Sequence, residues 1–116
     1  MAIDGRHCLY DMWLAERYLV AGVDFWREVL REAAAVGGAT IVGEGFHPFE
    51  PMGVTGYLLL AESHISVHTW PEEGLAAMDI FTCGPMDLEG MIGYLRQKLE
   101  PHDEKLEMVL RGKRGK

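Results

Sequence analysis

Between Val54 and Cys83 three strand-like runs, VTGYLLLA, SHISVHTW and AAMDIFTC, follow one another with only short breaks. Each is rich in β-branched, aromatic and aliphatic residues, and the middle one alternates apolar and polar positions with a period of two. A chain built this way must form a sheet, and one face of that sheet needs a cover. Two helical patterns supply it. In the first, Asp24 stands where an N-cap is expected, Trp26, Val29, Leu30, Ala33 and Ala34 recur at helical spacing, and Gly37-Gly38 provides the stop. In the second, Pro85 lies near the start, Leu88, Met91, Ile92, Leu95 and Leu99 form one apolar stripe, and Pro101 lies just past the end. Strand patterns at 6–14, 39–46 and 105–111 and a proline-broken loop at 47–53 complete the order: strand, helix, four strands, helix, strand. That order predicts an α+β two-layer sandwich with a mainly antiparallel sheet and both helices on one face. The opposite face is left bare, and apolar residues on it favour a dimer.

With 116 residues and 48% hydrophobic content, the chain suits one domain spanning 1–116. Eighteen acidic against eleven basic residues give a net charge of -7, which repels phosphate backbones; the sole basic cluster is the short tail from Arg111 to Lys116. A nucleic-acid partner is therefore not expected. Nor is a membrane: no apolar run approaches spanning length, and the start, MAIDGRH, is too polar for a secretory signal. The expected location is cytoplasmic. In that reducing setting Cys8 and Cys83 are read as thiols, and a dry core position is the ordinary explanation for each.

Alternation places His64, Ser66 and His68 on one face of SHISVHTW, with Ser63, Ile65, Val67 and Thr69 on the other. In AAMDIFTC it groups Ala77, Asp79, Phe81 and Cys83, so Cys83 ends its strand just before Gly84-Pro85, where a side chain can reach a pocket. Taken singly, a strand histidine is ordinarily a satisfied surface or core residue. No metal site is expected, because the His64 to His68 spacing pairs ligands on a helix, whereas this segment is strand and lacks HExxH. A hydrolytic serine, histidine and acid trio lacks its GxSxG elbow.

Taken together, Gly5-Arg6-His7, GATIV, FHPFEPMGVTG, ESHISVHTWPE and AAMDIFTCG occur in an order and spacing that resembles the prokaryotic S-adenosylmethionine decarboxylases, small pyruvoyl-dependent enzymes. The resemblance runs from Gly5 to about Leu99. It implies a proenzyme that cuts its own backbone between Glu62 and Ser63, giving a β chain of residues 1–62 and an α chain of 63–116. In that chemistry Ser63 Oγ attacks the Glu62 carbonyl, turning the amide into an ester. His68, the base by the family pattern, then removes the Ser63 α-proton. Glu62 leaves as a carboxylate, and the remaining dehydroalanine hydrolyses to a pyruvoyl group. Thr55, in GVTG where many relatives have GVSG, retains a hydroxyl for the shift intermediate.

Ser63 and His68 lie an odd number of residues apart, so a regular strand directs them to opposite faces. A turn or strained junction at Ala61-Glu62-Ser63 is therefore expected, and strain there would weaken the amide. With an unbroken strand through Ser63 and its side chain far from His68, the assignment of His68 as base fails.

The resemblance further implies a Schiff base between the pyruvoyl ketone and the α-amine of a small amino-acid-type substrate, followed by loss of CO2. Cys83 is the implied proton donor to the substrate Cα; a thiol is mostly protonated at neutral pH and can donate. Glu72 is implied in binding ribose hydroxyls, and Phe49 in stacking on the planar or cationic part of the substrate. S-adenosylmethionine is the leading substrate. Relatives that act on it often read WPEYGYAA where this chain reads WPEEGLAA, so Leu75 reduces stacking area and Glu73 adds a carboxylate able to pair with a guanidinium or ammonium. L-arginine or L-ornithine is the alternative substrate. An uncut, silent homologue serving as a regulatory or binding subunit is the alternative of another kind. The family also implies a homodimer, a four-layer αββα arrangement with active sites at the boundary between protomers.

Overall fold

The computed structural model describes residues 5–115, so Met1 to Asp4 and Lys116, the ends of the polar start and of the basic tail, lie outside the described residues. The elements run β1 (Gly5–Trp13), α1 (Glu16–Leu19), α2 (Val23–Gly37), β2 (Ile41–Pro48), β3 (Val54–Leu60), β4 (Ser63–Trp70), a 3-10 turn (Pro71–Glu73), β5 (Leu75–Cys83), α3 (Leu88–Leu99) and β6 (Asp103–Arg111). The six strands form one antiparallel sheet in the order β2-β3-β4-β5-β1-β6. The short breaks seen in the sequence become tight connections. Leu60 pairs with Ser63 across a two-residue Ala61-Glu62 turn, and Trp70 pairs with Leu75 across Pro71–Gly74.

Both long helices cover the same face. Trp26, Val29, Leu30, Ala33 and Ala34 of α2 and Leu88, Met91, Leu95 and Leu99 of α3 share one core with Cys8, Tyr10 and Met12 of β1, Leu58 of β3, Ile65 and Val67 of β4 and Ile80 of β5. The alternation fixes this register. Sliding β4 by one residue would place His64, Ser66 and His68 in the core and expel Ile65 and Val67, each worth about 1.5–3 kcal/mol of burial. The two helices meet closely at Gly37, where a Cβ would fall 2.4 Å from Met91 Sδ.

The other face is bare. His7 and Leu9 of β1, Thr55, Tyr57 and Leu59 of β3, the His64, Ser66, His68 and Trp70 series of β4, Asp79, Phe81 and Cys83 of β5 and Val109 of β6 all project from it. Five of these are large, exposed apolar side chains: Leu9, Tyr57, Leu59, Trp70 and Val109.

Some boundaries differ from the sequence reading. Asp24 is not the N-cap of α2; Gly22 occupies that position without a side-chain bond, while Asp24 sits in the first turn and accepts from Arg27 Nη1 at 2.9 Å. β2 runs on through His47 and Pro48, because β2 is an edge strand and proline's missing N–H need not face a neighbour. The short α1 gave no periodic signal. No helix among the described residues is long and apolar enough to cross a membrane.

Candidate active site

The residues singled out from the sequence gather at opposite ends of β4. At its first residue, Ser63 sits beside the Ala61-Glu62 turn, and Glu62 has φ +63°, a left-handed conformation that costs a non-glycine residue roughly 1–3 kcal/mol. Ala61 N–H donates to Thr40 O at 3.0 Å, fastening the turn to the segment after α2. Ser63 is buried on the helix side, and its Oγ accepts from the Cys83 backbone N–H at 3.3 Å. A cavity of about 280 Å³ opens here between Gly38–Thr40, the Ala61-Glu62 turn and the Cys83–Met86 segment. The structure thus brings Glu62 and Ser63 to the Cys83 backbone, while the Cys83 side chain leaves its strand on the bare face. Cys83 is half-buried and borders this cavity, unlike the dry position that is ordinary for a thiol. Cys8 does hold such a position: burial, reinforced by the Asp79 charge and opposed by Arg96, pushes its thiol up to about 11.

At the far end of β4 lie Thr55, His68, Trp70 and Glu72. Thr55 Oγ1 and His68 Nδ1 share a hydrogen bond of 3.0 Å, set by the pairing of these two residues across β3 and β4. The His68 and Trp70 rings stack with centroids 5.8 Å apart and planes 19° apart. A cavity of about 450 Å³ is lined by Phe49, Thr55, Trp70 and Glu72 together with the 50–53 loop. Backbone closure of that loop, Phe49 N–H to Gly53 O at 2.8 Å, holds Phe49 at the rim. Glu73 and Leu75 do not line this cavity: Glu73 is exposed on the 3-10 turn, and Leu75 is paired with Trp70 and Trp13 on neighbouring strands.

The expected turn at Ala61-Glu62 is present and strained, but it closes before Ser63 rather than including it. Ser63 is in regular register with Leu60, so it and His68 leave β4 on opposite faces. Five residue steps along the strand separate them by about 16 Å at ~3.3 Å per residue. Within one chain the structure does not bring His68 to Ser63, so His68 fails as the base for the serine of its own chain.

Between the two ends lies a polar group that the sequence reading did not assemble. His7 Nε2 donates to Asp79 Oδ2 at 3.0 Å, Ser66 Oγ donates to Asp79 Oδ1 at 2.5 Å, and His64 Nε2 lies 3.5 Å from the same Oδ1. Burial opposes ionisation of Asp79, yet the bonds from Ser66 and His7 and the nearby His64 prevail and hold its carboxyl below the usual range. His7, His64 and Asp79 offer three ligand atoms within 4.8 Å of one another, a spacing a metal ion could use. However, Arg111 Nη1 donates to His7 Nδ1 at 3.0 Å, and an arginine can only donate. The His7 proton is therefore on Nε2, pointed at Asp79, and the group is satisfied as a hydrogen-bond hub.

Comparison with known proteins gives this geometry its context. The family model described as S-adenosylmethionine decarboxylase matches residues 6–112. This chain belongs to the S-adenosylmethionine decarboxylase family. Within that family it is 43% identical over 108 residues to the S-adenosylmethionine decarboxylase proenzyme of Synechococcus sp. (strain WH7803), covering 92% of this chain and 84% of the relative. It is 54% identical over 80 residues to the proenzyme of the same name from Symbiobacterium thermophilum, covering 69% of this chain and 61% of the relative. The crystal structure of the adenosylmethionine decarboxylase from Aquifex aeolicus VF5 superposes with a TM-score of 0.86 at 33% identity, covering 99% of this chain and 96% of that one. The α+β architecture read from the sequence is thus that of an S-adenosylmethionine decarboxylase.

Trp70, which the sequence reading does not single out, lines the larger cavity. Its signal was available: alternation puts it on the His64, Ser66 and His68 face, a large aromatic at a strand end two residues before Glu72.

Proposed function

We infer that this chain is a self-processing, pyruvoyl-dependent decarboxylase acting on S-adenosylmethionine, cut between Glu62 and Ser63. The observation that carries this reading is the strained Glu62 immediately before Ser63, with the Ser63 hydroxyl tied to Cys83 N–H at 3.3 Å. A left-handed Glu62 destabilises the amide form relative to the ester that Ser63 Oγ would create. The relatives' names specify S-adenosylmethionine and not L-arginine or L-ornithine. The two residues that pointed to basic amino acids, Glu73 and Leu75, do not line the cavity bordered by Phe49, Trp70 and Glu72.

A homodimer would bring a second His68 to the bare side of the sheet at Ser63, the side opposite its hydroxyl. Two bare faces stacked about 10 Å apart form a four-layer αββα sandwich, burying Leu9, Tyr57, Leu59, Trp70 and Val109. A two-fold axis between the faces and across the strands reverses strand direction, laying the Trp70 end of one sheet over the Ser63 end of the other. Each active site then combines Glu62, Ser63 and Cys83 of one protomer with the partner's His68, Thr55, Phe49, Trp70 and Glu72. The partner's His68, oriented by its bond to Thr55, takes the Ser63 α-proton.

The pyruvoyl group formed from Ser63 supplies an electron sink for the bond that releases CO2. Chain residues do the rest. Glu72 accepts from the ribose hydroxyls, Phe49 and Trp70 flank the adenine and sulfonium, and Cys83 donates the proton that completes the product at Cα. Incubating the cut protein separately with S-adenosylmethionine, L-arginine and L-ornithine and measuring released CO2 tests the substrate. Activity confined to either basic amino acid would overturn it. A single band on a denaturing gel would instead favour a silent subunit.

A further inference from the structure

Cleavage creates a mechanical problem at the start of β4. Before the cut, Ser63 is held by its peptide bond to Glu62 and by the hairpin that pairs it with Leu60. Afterwards the covalent link is gone, and conversion to a keto acyl group removes the Ser63 backbone nitrogen and its N–H. The reactive carbonyl then sits on a strand end, and strand ends fray. His64 is the next residue, and its ring is the first side chain of the new chain on the open face.

Side chains of two other strands, β5 and β1, meet that ring. Its Nε2 is 3.5 Å from Asp79 Oδ1 on β5, and it packs edge-on to His7 of β1 at 6.0 Å and tilted against Phe81 of β5 at 5.8 Å. Asp79 is fixed from two further directions by Ser66 and His7. Arg111 of β6 donates to His7 and places its guanidinium 5.7 Å from the Phe81 ring centroid. Around this chain the open face is apolar, with Leu9, Leu59 and Val109 beside it. None of these polar groups touches the Glu62–Ser63 bond, and the chemistry above uses none of them.

Resting on the self-cleavage reading, we propose that Asp79, held by Ser66 and by a His7 that Arg111 orients, is a positioning residue that anchors His64 and so fixes the carbonyl-bearing start of the α chain after the cut. Asp79 is not a catalytic residue: it acts through His64. Misplacing a reacting atom by about 1 Å can cost on the order of a hundredfold in rate, so the anchor acts on kcat rather than on substrate affinity.

The test is Asp79→Asn, made in the wild-type background and in a Ser63→Ala chain that cannot be cut. The expected result is a normally cut D79N protein with kcat lowered roughly tenfold to a hundredfold and KM changed less than about twofold. Amide exchange at His64–Ser66 should rise several-fold in cut D79N relative to cut wild type, with no rise in the uncut S63A/D79N chain relative to S63A. Equal rises in cut and uncut forms would make Asp79 an ordinary structural residue, and unchanged exchange with unchanged kcat would remove the anchor altogether. Should D79N fail to fold, His64→Gln leaves Asp79 its bonds to Ser66 and His7, and must show the same cut-only rise. A wild-type chain that stays in one piece removes the self-cleavage reading and the anchor with it; a cut wild type with an indifferent D79N removes the anchor alone.

Discussion

Ser63 and His68 leave the same strand on opposite faces of the sheet, Ser63 toward the helices and His68 toward the bare side. In the proposed dimer, His68 serves the serine of the other protomer. The consequence is complementation. Alone, Ser63→Ala and His68→Ala chains should both remain uncut. Co-expressed, the H68A chain should be cut in hybrid dimers, because the S63A protomer supplies an intact His68. A denaturing gel with the two chains tagged differently reads the outcome; no cutting of H68A in the mixture would rule out action across the boundary.

Leu59 tests the face itself. It is 48% exposed on the bare side, so Leu59→Glu should alter the stability of the isolated fold by no more than about 0.5 kcal/mol. In a dimer the same carboxylate would be buried without a partner. Sedimentation should show L59E as a monomer with native circular dichroism, and processing should be lost with it. A dimeric L59E would place the subunit boundary elsewhere.

Trp70 supplies an aromatic wall of the cavity that Leu75, outside it, does not offer. Trp70→Ala should raise KM for S-adenosylmethionine about tenfold, equivalent to ~1.4 kcal/mol of stacking and burial, while cleavage between Glu62 and Ser63 still proceeds. Initial-rate kinetics on the cut variant measure this, and an unchanged KM would remove Trp70 from the substrate cavity.

Much of this was legible in the sequence because alternation is a local property. SHISVHTW has the same bounds in the structure as in the sequence reading, and the α3 stripe ends at Leu99, before Pro101. Asp24 misled because a glycine N-cap carries no side-chain signature, and Pro48 because an edge strand tolerates what a central one does not. The hub of Asp79, His7, Ser66 and Arg111 joins residues up to 104 positions apart, through a β1 inserted between β5 and β6. No spacing rule reaches that far. Alternation did separate Ser63 from His68, but which copy of the chain reunites them is a matter of assembly.

Asp79 also leaves a mark on acid stability. Its folded value lies below the ordinary 3.8, so the carboxylate contributes stability above about pH 3.8 that is lost as the pH falls through the depressed folded value. Unfolding followed by circular dichroism from pH 6 downward should show a shallower acid limb for D79N than for wild type. An identical limb would mean that Asp79 gains nothing on folding.

The most direct measurement is the intact mass of the folded protein after prolonged incubation. The account predicts two chains, 1–62 and 63–116, the second lighter by one ammonia than its encoded sequence and reactive toward hydrazine reagents. A single chain of full encoded mass with no reactive carbonyl would contradict it.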